Sequence, residues 1–286
     1  MKIPPLQALA CPLDHQPLHR AGQTLRCSSG HCFDIASQGY ANLLPVQKKR
    51  SLDPGDSKLM VAARQRFLDA GHYAPIAQAV SRLALSGLPA GGTASCLDAG
   101  CGEGYYLRQL GGAAVHDQIA LALFGLDISK WAVLSAAKQD KVGDHTWLVG
   151  SNANLPVQPA TLDRLLCMFG FPVYAEFARV LKPGGILLQV DAGPDHLREL
   201  REVIYPSLKP ARAPTTQAPE GFTLLTTETV RYAINVIGTE SIADLLAMTP
   251  HLYRATVEGR ARAAALTEIS LTVDVLVTCL SRDAAL

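Results

Sequence analysis

Short apolar runs alternate with segments of helical spacing through the middle of the chain. Apolar runs that end in turn residues predict strands, whereas apolar residues three or four positions apart predict helices. The predicted strands cover residues 96–97, 119–126, 147–150, 163–168 and 186–190, and the predicted helices between them cover residues 105–110, 130–138 and 175–181. This alternation predicts an α/β fold built on a parallel sheet.

The regions on either side of this alternation complete the predicted organisation. Residues 60–70 and 76–88 have helical spacing, residues 222–236 and 271–280 predict a closing antiparallel hairpin, and residues 241–248 predict a helix within it. Residues 206–220 are rich in Pro, Ala and Thr and predict a mobile loop. We therefore expect a small domain over residues 1–45, a basic linker and helix over 46–72, and a large α/β domain over 73–286.

Composition supports a folded protein in a reducing compartment. The 286 residues are 48% hydrophobic and 18% charged, which suits a substantial core. No apolar run reaches the roughly 18 residues that a membrane span needs, and the early prolines of M-K-I-P-P-L do not fit a signal peptide. The seven cysteines are scattered and odd in number, which predicts a cytoplasmic protein without a disulfide framework.

The segment S-C-L-D-A-G-C-G-E-G-Y-Y joins the first core strand to the next helix. Asp98 ends the strand, and Gly100, Gly102 and Gly104 let the backbone turn sharply and approach a ligand. A dinucleotide site would show G-x-G-x-x-G here. The acidic Glu103 at the helix start repels phosphate but suits an ammonium and a sulfonium, so the segment predicts S-adenosylmethionine as ligand. A glycine turn without a ligand is the alternative.

Further candidate ligand contacts follow the next two strands. Asp127 ends the second core strand, where a carboxylate accepts hydrogen bonds from ribose hydroxyls, and Ile128 follows it. The loop after the third strand contains Asn152, whose amide could bracket an adenine. We therefore expect all three residues at the cofactor site.

Several rings stand where the chain could meet a ligand. Tyr73 lies in a joint between two predicted helices and either stacks on the ligand or belongs to the core. His196 starts a predicted helix at the carboxyl end of a strand, although a lone histidine is more often structural. Phe169 and Phe171 follow the fourth strand and either stack on a target base or pack in the core.

The first 45 residues contain two clusters of soft metal ligands, Cys11-Pro-Leu-Asp14-His15 and Cys27-Ser-Ser-Gly-His31-Cys32. Thiolates near tight turns converge readily on a tetrahedral zinc ion. Spacing favours Cys11, Asp14, Cys27 and His31 as ligands. C-x-x-D is weaker than C-x-x-C, so His15 or Cys32 could substitute, or the metal could be lost and the fold held by packing.

Charge is uneven along the chain. Residues 1–70 contain nine Lys and Arg against five Asp, whereas the whole chain has a formal net charge of +1. The cluster Lys48-Lys49-Arg50 runs into a Pro-Gly turn in the linker. A basic front suits an anionic macromolecular partner, and a merely solvated linker is the alternative.

Together these motifs resemble the RlmA family of bacterial 23S rRNA guanine-N1 methyltransferases. The resemblance covers nearly the whole chain and is carried by the zinc-knuckle front, G-Y-A-N-L-L-P-V-Q-K-K-R-S-L-D-P-G-D-S, F-L-D-A-G-H-Y, G-C-G-E-G-Y-Y, G-L-D-I-S-K, L-K-P-G-G and G-P-D-H-L. It implies a class I (Rossmann-like) S-adenosylmethionine-dependent methyltransferase with a small N-terminal zinc-ribbon-like domain that grips a 23S rRNA hairpin, and a homodimer.

The resemblance also implies site residues. It maps methyl-donor contacts to Tyr73, Gly102, Glu103 and His196, with Asp127 on the ribose. The chain departs from the family where Asp14 replaces the second zinc cysteine, and in the loop Phe169-Gly-Phe-Pro, which borders the acceptor base. The sequence does not identify the base that removes the guanine N1 proton. Two other functions stay open, a methyltransferase for a small molecule and a non-catalytic ribosome-assembly factor.

Overall fold

The computed structural model describes residues 8–48, 51, 53–140, 145–208 and 217–284. Its strands are β1 (His19–Ala21), β2 (Thr24–Arg26), β3 (Cys32–Asp34), β4 (Tyr40–Asn42), β5 (Thr93–Ala99), β6 (Ala120–Asp127), β7 (His145–Val149), β8 (Leu162–Met168), β9 (Leu181–Ala192), β10 (Phe222–Ile237) and β11 (Glu268–Arg282). Its helices are α1 (Lys58–Asp69), α2 (Ala74–Leu85), α3 (Tyr105–His116), α4 (Lys130–Gln139), α5 (Tyr174–Val180), α6 (Arg198–Ile204), α7 (Thr239–Ala247), α8 (His251–Arg254) and α9 (Val257–Ala264).

An eight-stranded sheet organises the molecule, in the order β10-β11-β9-β8-β5-β6-β7-β4. Strands β4 to β9 of this sheet pair in parallel, whereas β11 runs antiparallel between β9 and β10. The strand order reverses at β5, which lies between β6 and β8. Such a switch point opens a crevice at the carboxyl ends of the strands, where open α/β sheets bind ligands. The predicted fold class is confirmed.

The N-terminal residues form a three-stranded antiparallel sheet, β1-β2-β3, that packs on the large sheet. Leu9, Leu18 and Leu25 belong to the same buried cluster as Leu97 and Leu148 of the large sheet. Strand β4 goes further, because it pairs in parallel with β7 and so extends that sheet. The front part therefore shares its core with the rest of the chain, and the expected boundary after residue 45 remains a prediction.

Several predicted bounds differ from the observed ones. The helix expected over 76–88 is α2, which begins at Ala74 because Pro75 suits a first helical turn. The helix expected over 105–110 extends to His116 as α3. Helices α8 and α9 were missed altogether. Part of the predicted loop 206–220 lies outside the described residues, as do Lys49 and Arg50 of the basic cluster.

Helix α1 is positioned by the segment that precedes it. The Ser57 hydroxyl accepts a hydrogen bond from the Met60 amide, which caps the helix. The Asp56 carbonyl accepts a hydrogen bond from the Ser129 hydroxyl over 2.7 Å, and the Asp53 carboxylate accepts one from the Trp131 indole over 2.7 Å. The segment before α1 is thus tied to the turn that follows β6, so α1 begins beside the crevice.

Candidate functional site

The glycine loop after β5 follows a tight path at the switch point. The amides of Gly100 and Cys101 both donate to the Leu126 carbonyl of β6, over 2.7 and 2.9 Å. Gly104 has a φ of +83°, and a side chain there would lie 2.5 Å from the Trp147 ring. The loop therefore needs glycine both for its backbone angle and for its close packing on the sheet.

Asp127 is fixed at the carboxyl end of β6. One of its oxygens accepts a hydrogen bond from the Gly102 amide over 2.9 Å, and the other accepts one from the Ser129 amide over 2.8 Å. Burial raises the pKa of this carboxyl, although those two hydrogen bonds oppose the effect. Each oxygen keeps a further lone pair, so the anchored carboxylate can accept hydrogen bonds from a diol.

Asp98 lies beneath the glycine loop and is fully buried. Neither of its carboxylate oxygens has a hydrogen-bond partner among the described residues. Burial, reinforced by the nearby acids Asp127 and Glu103, raises the pKa of Asp98 to about 8. A buried polar group without a partner requires an explanation, and a cationic ligand supplies one. The ammonium and sulfonium of S-adenosylmethionine therefore fit this site.

Glu103 has charged and polar partners within the protein. Its carboxylate is 1% exposed and forms an ion pair with Arg108 over 2.9 Å. The Gln139 amide donates a further hydrogen bond to it over 3.0 Å. The charge of Glu103 is thus balanced within the protein, and Asp98 is the acid at this loop that lacks a partner in the described structure. A contact between Glu103 and the donor remains a prediction.

Three rings meet beside the loop. The centroids of Tyr73 and His196 lie 5.9 Å apart, those of Phe169 and His196 5.8 Å apart, and those of Tyr73 and Phe169 6.2 Å apart. Tyr73 is buried at the start of α2, and His196 follows β9. The tertiary fold therefore brings together two residues that the resemblance assigns to the donor and one from the loop that it places beside the acceptor base.

The protonation state of His196 follows from its partners. Its Nδ1 accepts a hydrogen bond from the Asp274 amide over 3.3 Å, which places the ring hydrogen on Nε2. Burial lowers the pKa of His196 to about 4. The ring is therefore neutral near pH 7.

The loop after β8 presents two phenylalanines at the same edge. Phe169 has a φ of +52°, a left-handed conformation that is unfavourable for a bulky side chain. Phe171 is 90% exposed. Strain of this kind concentrates at ligand sites, and an exposed aromatic ring is free to stack. On the neighbouring side of the crevice, the Asn152 amide donates to the Ala99 carbonyl over 3.3 Å, and Ile128 is partly exposed.

Sequence reasoning missed one charged residue at the crevice. Arg64 lies on α1 and forms an ion pair with Asp56. Its Nη1 lies 3.5 Å from the point where a Cβ of Gly102 would stand. No local motif marks Arg64, because it reaches the loop across 38 positions of sequence only through the packing of α1.

The N-terminal part brings four candidate metal ligands together. The nearest ligand atoms of Cys11, Asp14, Cys27 and His31 all lie within 4.8 Å of one another. The His31 Nδ1 lies 3.1 Å from an Asp14 oxygen and 3.5 and 3.4 Å from the sulfurs of Cys11 and Cys27. Burial raises the pKa of the Cys11 thiol to about 11.

These distances fit a tetrahedral zinc site. Bonds of about 2.0–2.3 Å from zinc to nitrogen, oxygen and sulfur imply ligand–ligand separations of roughly 3.3–3.8 Å, close to those observed. Asp14 supplies an oxygen where the related knuckle has a thiolate. Cys32 is exposed, and neither it nor His15 belongs to the four-residue cluster. The geometry thus favours Asp14 over the two substitutes.

In the part of the chain that the structure describes, no helix combines the length and apolar character needed to cross a membrane.

Comparisons with known proteins agree with the two parts of the fold. A zinc-ribbon family model described as "RlmA, N-terminal" matches residues 9–52, and one described as "Methyltransferase domain" matches residues 96–185. A Bacillus subtilis protein named "Putative 23S rRNA (guanine-N(1)-)-methyltransferase YxjB" is 32% identical over 93% of this chain and 94% of its own length. A Streptomyces fradiae protein named "23S rRNA (guanine(748)-N(1))-methyltransferase" is 37% identical over 68% of this chain and 67% of its own length. The chain belongs to the RlmA-type family of 23S rRNA (guanine-N1)-methyltransferases.

Proposed function

We propose that this protein transfers a methyl group from S-adenosylmethionine to N1 of a guanine in a 23S rRNA hairpin. The observation that carries the proposal is the unpartnered carboxylate of Asp98 at the glycine loop, in a chain related over nearly its full length to a protein of that name. A buried carboxyl group at a sheet switch point, which ionises to balance a bound positive charge, suits a cationic nucleoside better than a phosphorylated one.

Different residues of the crevice would hold different parts of the donor. Asp127 would accept hydrogen bonds from the ribose hydroxyls, and the backbone of Gly100, Gly102 and Gly104 would border the donor. Asp98 would balance its positive charge. Ile128 and the amide of Asn152 would flank the adenine.

Positioning is the main task of the protein in this reaction. S-adenosylmethionine, when bound, supplies a methyl group on a positively charged sulfur, so the chain needs no nucleophile of its own. The protein has to align guanine N1 with the sulfur–carbon bond and exclude water. Tyr73 and His196 border that space on one side. A neighbouring acceptor takes the N1 proton as the methyl arrives.

The acceptor base has to leave its stack to reach the donor. Phe169 and Phe171 stand at the mouth of the crevice, where their rings can stack on an unpaired guanine. The strained backbone of Phe169 and the 90% exposure of Phe171 support this role better than a place in the core.

The front of the chain is proposed to hold the rest of the hairpin. Arg20 and Arg26 are exposed on β1 and β2, and Lys58 is exposed at the start of α1. Zinc bound by the cluster at Cys11 would hold this small sheet in shape, since a segment of this size rarely folds by burial alone. The division into a front domain over 1–45, a linker over 46–72 and a catalytic domain over 73–286 is part of this proposal.

One transfer assay tests the function. The purified chain is incubated with methyl-labelled S-adenosylmethionine and 23S rRNA from a strain that lacks the gene, and the modified nucleotide is mapped by blocked reverse transcription. We expect label at one guanine and none in a transcript with that guanine replaced by adenine. Label on small molecules but not on rRNA would indicate the small-molecule alternative. Binding of the donor without any transfer would indicate an assembly factor.

A homodimer and a cytoplasmic location belong to the same proposal. Strand β10 is 16 residues long, and within the described chain it pairs only with β11. Its other edge has backbone groups able to pair with a second copy. Light scattering of the purified protein should give the mass of two chains, and Leu225→Arg, at an exposed position of β10, should shift it toward one. A mass of one chain for the parent would refute the dimer.

A further inference from the structure

Arg64 projects from α1 onto the glycine loop. A Cβ atom added to Gly102 would lie within 4 Å of two Arg64 atoms, Nη1 and Cδ. Apart from the two chain neighbours of Gly102, no other described residue comes as close to that point. The positive charge of Arg64 also acts on the neighbouring Asp127, favouring the ionised form of that carboxyl. Arg64 therefore lies where the loop and the ribose-binding acid meet.

Two contacts fix the Arg64 side chain and leave some of its N–H groups able to bind a ligand. The Asp56 carboxylate pairs with Nη1, and the Met248 carbonyl accepts from Nη2 over 3.4 Å. A guanidinium has five N–H donors in a planar fork. The side chain is thus oriented from two sides and can still bind a planar anion.

The charges around the loop indicate which group of the donor the Arg64 guanidinium would bind. Asp98, Asp127 and Glu103 bring three carboxyl groups to the site, and Arg108 is engaged with Glu103 over 2.9 Å. His196 is neutral near pH 7, so it adds no positive charge. The acids suit the ammonium and sulfonium of S-adenosylmethionine, but its methionine end also has a carboxylate, which these acids repel.

We propose that Arg64 binds the methionine carboxylate of S-adenosylmethionine, so that α1 selects a donor with an intact amino-acid end. This inference rests on the donor named in the proposed function, although it does not depend on the acceptor. Arg64 acts here as a binding residue that orients the methionine end, while Asp127 holds the ribose.

The test compares two donors that differ only in this carboxylate. Calorimetric titration of the full chain, without RNA, measures the affinity for S-adenosylmethionine and for decarboxylated S-adenosylmethionine. The parent should prefer the carboxylated donor by about 10-fold or more, the usual range for a hydrogen bond to a charged group. Arg64→Gln should remove this preference by weakening S-adenosylmethionine alone, and Arg64→Lys should keep part of it.

Arg66→Gln is the matched control. Arg66 lies on the same helix and pairs with Asp244 through two hydrogen bonds of 2.7 and 2.5 Å. This variant should leave both affinities and their ratio unchanged. Equal weakening of both donors by Arg64→Gln would overturn the proposal and indicate a purely structural role, and unchanged binding of both would overturn it as well.

The binding test of Arg64 and the transfer assay of the proposed function can fail independently. A parent that prefers the carboxylated donor through Arg64 but methylates no rRNA would refute the acceptor and leave this inference standing. A parent that binds neither donor would refute the donor and this inference together.

Discussion

The ring Nε2–H of His196 donates a hydrogen bond to the hydroxyl oxygen of Tyr73 over 3.1 Å. Since Nδ1 of the same ring is occupied by the Asp274 amide, the direction of this bond is set by the backbone of β11. The Tyr73 hydroxyl is thereby left with its own hydrogen to donate. A buried tyrosine oriented in this way offers a defined donor to a ligand in the crevice.

Tyr73→Phe should weaken donor binding as well as the fold. The change removes the acceptor of the His196 N–H and the hydroxyl hydrogen that we expect to face the ligand, at a cost of about 1 kcal/mol in the free energy of unfolding. We expect S-adenosylmethionine to bind about 5- to 10-fold more weakly, measured by calorimetry alongside urea unfolding.

A second tyrosine–histidine pair provides the control for this prediction. The Tyr205 hydroxyl lies 2.9 Å from His251 Nδ1, in a different part of the fold. Tyr205→Phe should lower the free energy of unfolding by a similar amount and leave donor affinity unchanged. The same loss of affinity in both variants would show that Tyr73 acts only through stability.

Asp98 should make the stability of the protein fall as pH rises. Its pKa is about 8 in the folded protein against an ordinary value of 3.8, so the folded chain holds an extra proton between about pH 4 and pH 8. The free energy of unfolding therefore decreases with pH across that interval and levels off above it. Asp98→Asn should remove most of this slope in urea titrations at several pH values. An unchanged slope would contradict the raised pKa.

The affinity for S-adenosylmethionine should change with pH in the opposite direction. A cationic ligand favours ionised Asp98, so binding releases a proton below pH 8, and affinity should rise by up to about tenfold per pH unit toward that value. Calorimetry at pH 6, 7 and 8 measures this rise and, in buffers of different ionisation enthalpy, the proton released. Asp98→Asn should bind more weakly and with a flat profile. A flat profile in the parent would show that Asp98 does not meet the cation.

The metal site should bind one zinc ion per chain through Asp14. Asp14→Ala removes one of four ligands and should weaken zinc binding by more than about 100-fold, measured by elemental analysis and chelator competition. Asp14→Cys should bind more tightly, because a thiolate suits zinc well. Cys32→Ser is the control, since Cys32 is exposed and its replacement should leave zinc binding unchanged. Zinc absent from the parent but present in Asp14→Cys would mean that this chain has lost its metal.

Phe171→Ala should weaken the binding of the rRNA substrate without changing the affinity for S-adenosylmethionine. Stacking of a base on an aromatic ring contributes about 1–3 kcal/mol, so the KM for rRNA should rise about 10-fold while donor affinity stays constant. Val115→Ala serves as the control, because Val115 is 79% exposed near the carboxyl end of α3, where the chain returns to the amino edge of the sheet. Equal kinetics for Phe171→Ala and the parent would exclude stacking by this ring.

Sequence reasoning succeeded where a feature depends on residues close together in the chain. The glycine loop and the paired metal knuckles are recognisable because their backbone angles and ligand spacings are local. It failed on α9, which contains Gly259. A side chain there would lie 2.0 Å from the Ile204 carbonyl oxygen, so this glycine permits close packing of α9 on α6. In a single sequence, such a glycine argues against a helix.

The partners of Glu103 within the protein could not be predicted from the sequence. Its acidic side chain predicts a contact with a cationic donor, and the folded chain also pairs it with Arg108 and Gln139. Both partners come within reach only once α3 and α4 pack together. Charge in a sequence shows what a site contains, but the partner of each charge depends on packing.

The sequence by itself determined the α/β fold and the glycine loop with Asp98 and Asp127, and it favoured the four candidate ligands of the metal cluster, because hydrophobic periodicity and short spacings encode them. Only the tertiary structure decided that β4 extends the large sheet, that Asp98 rather than Glu103 is left without a partner in the described chain, that Arg64 reaches the glycine loop, and that Tyr73 meets His196. These relationships join residues that are distant in sequence, and the packing of helices on the sheet brings them together.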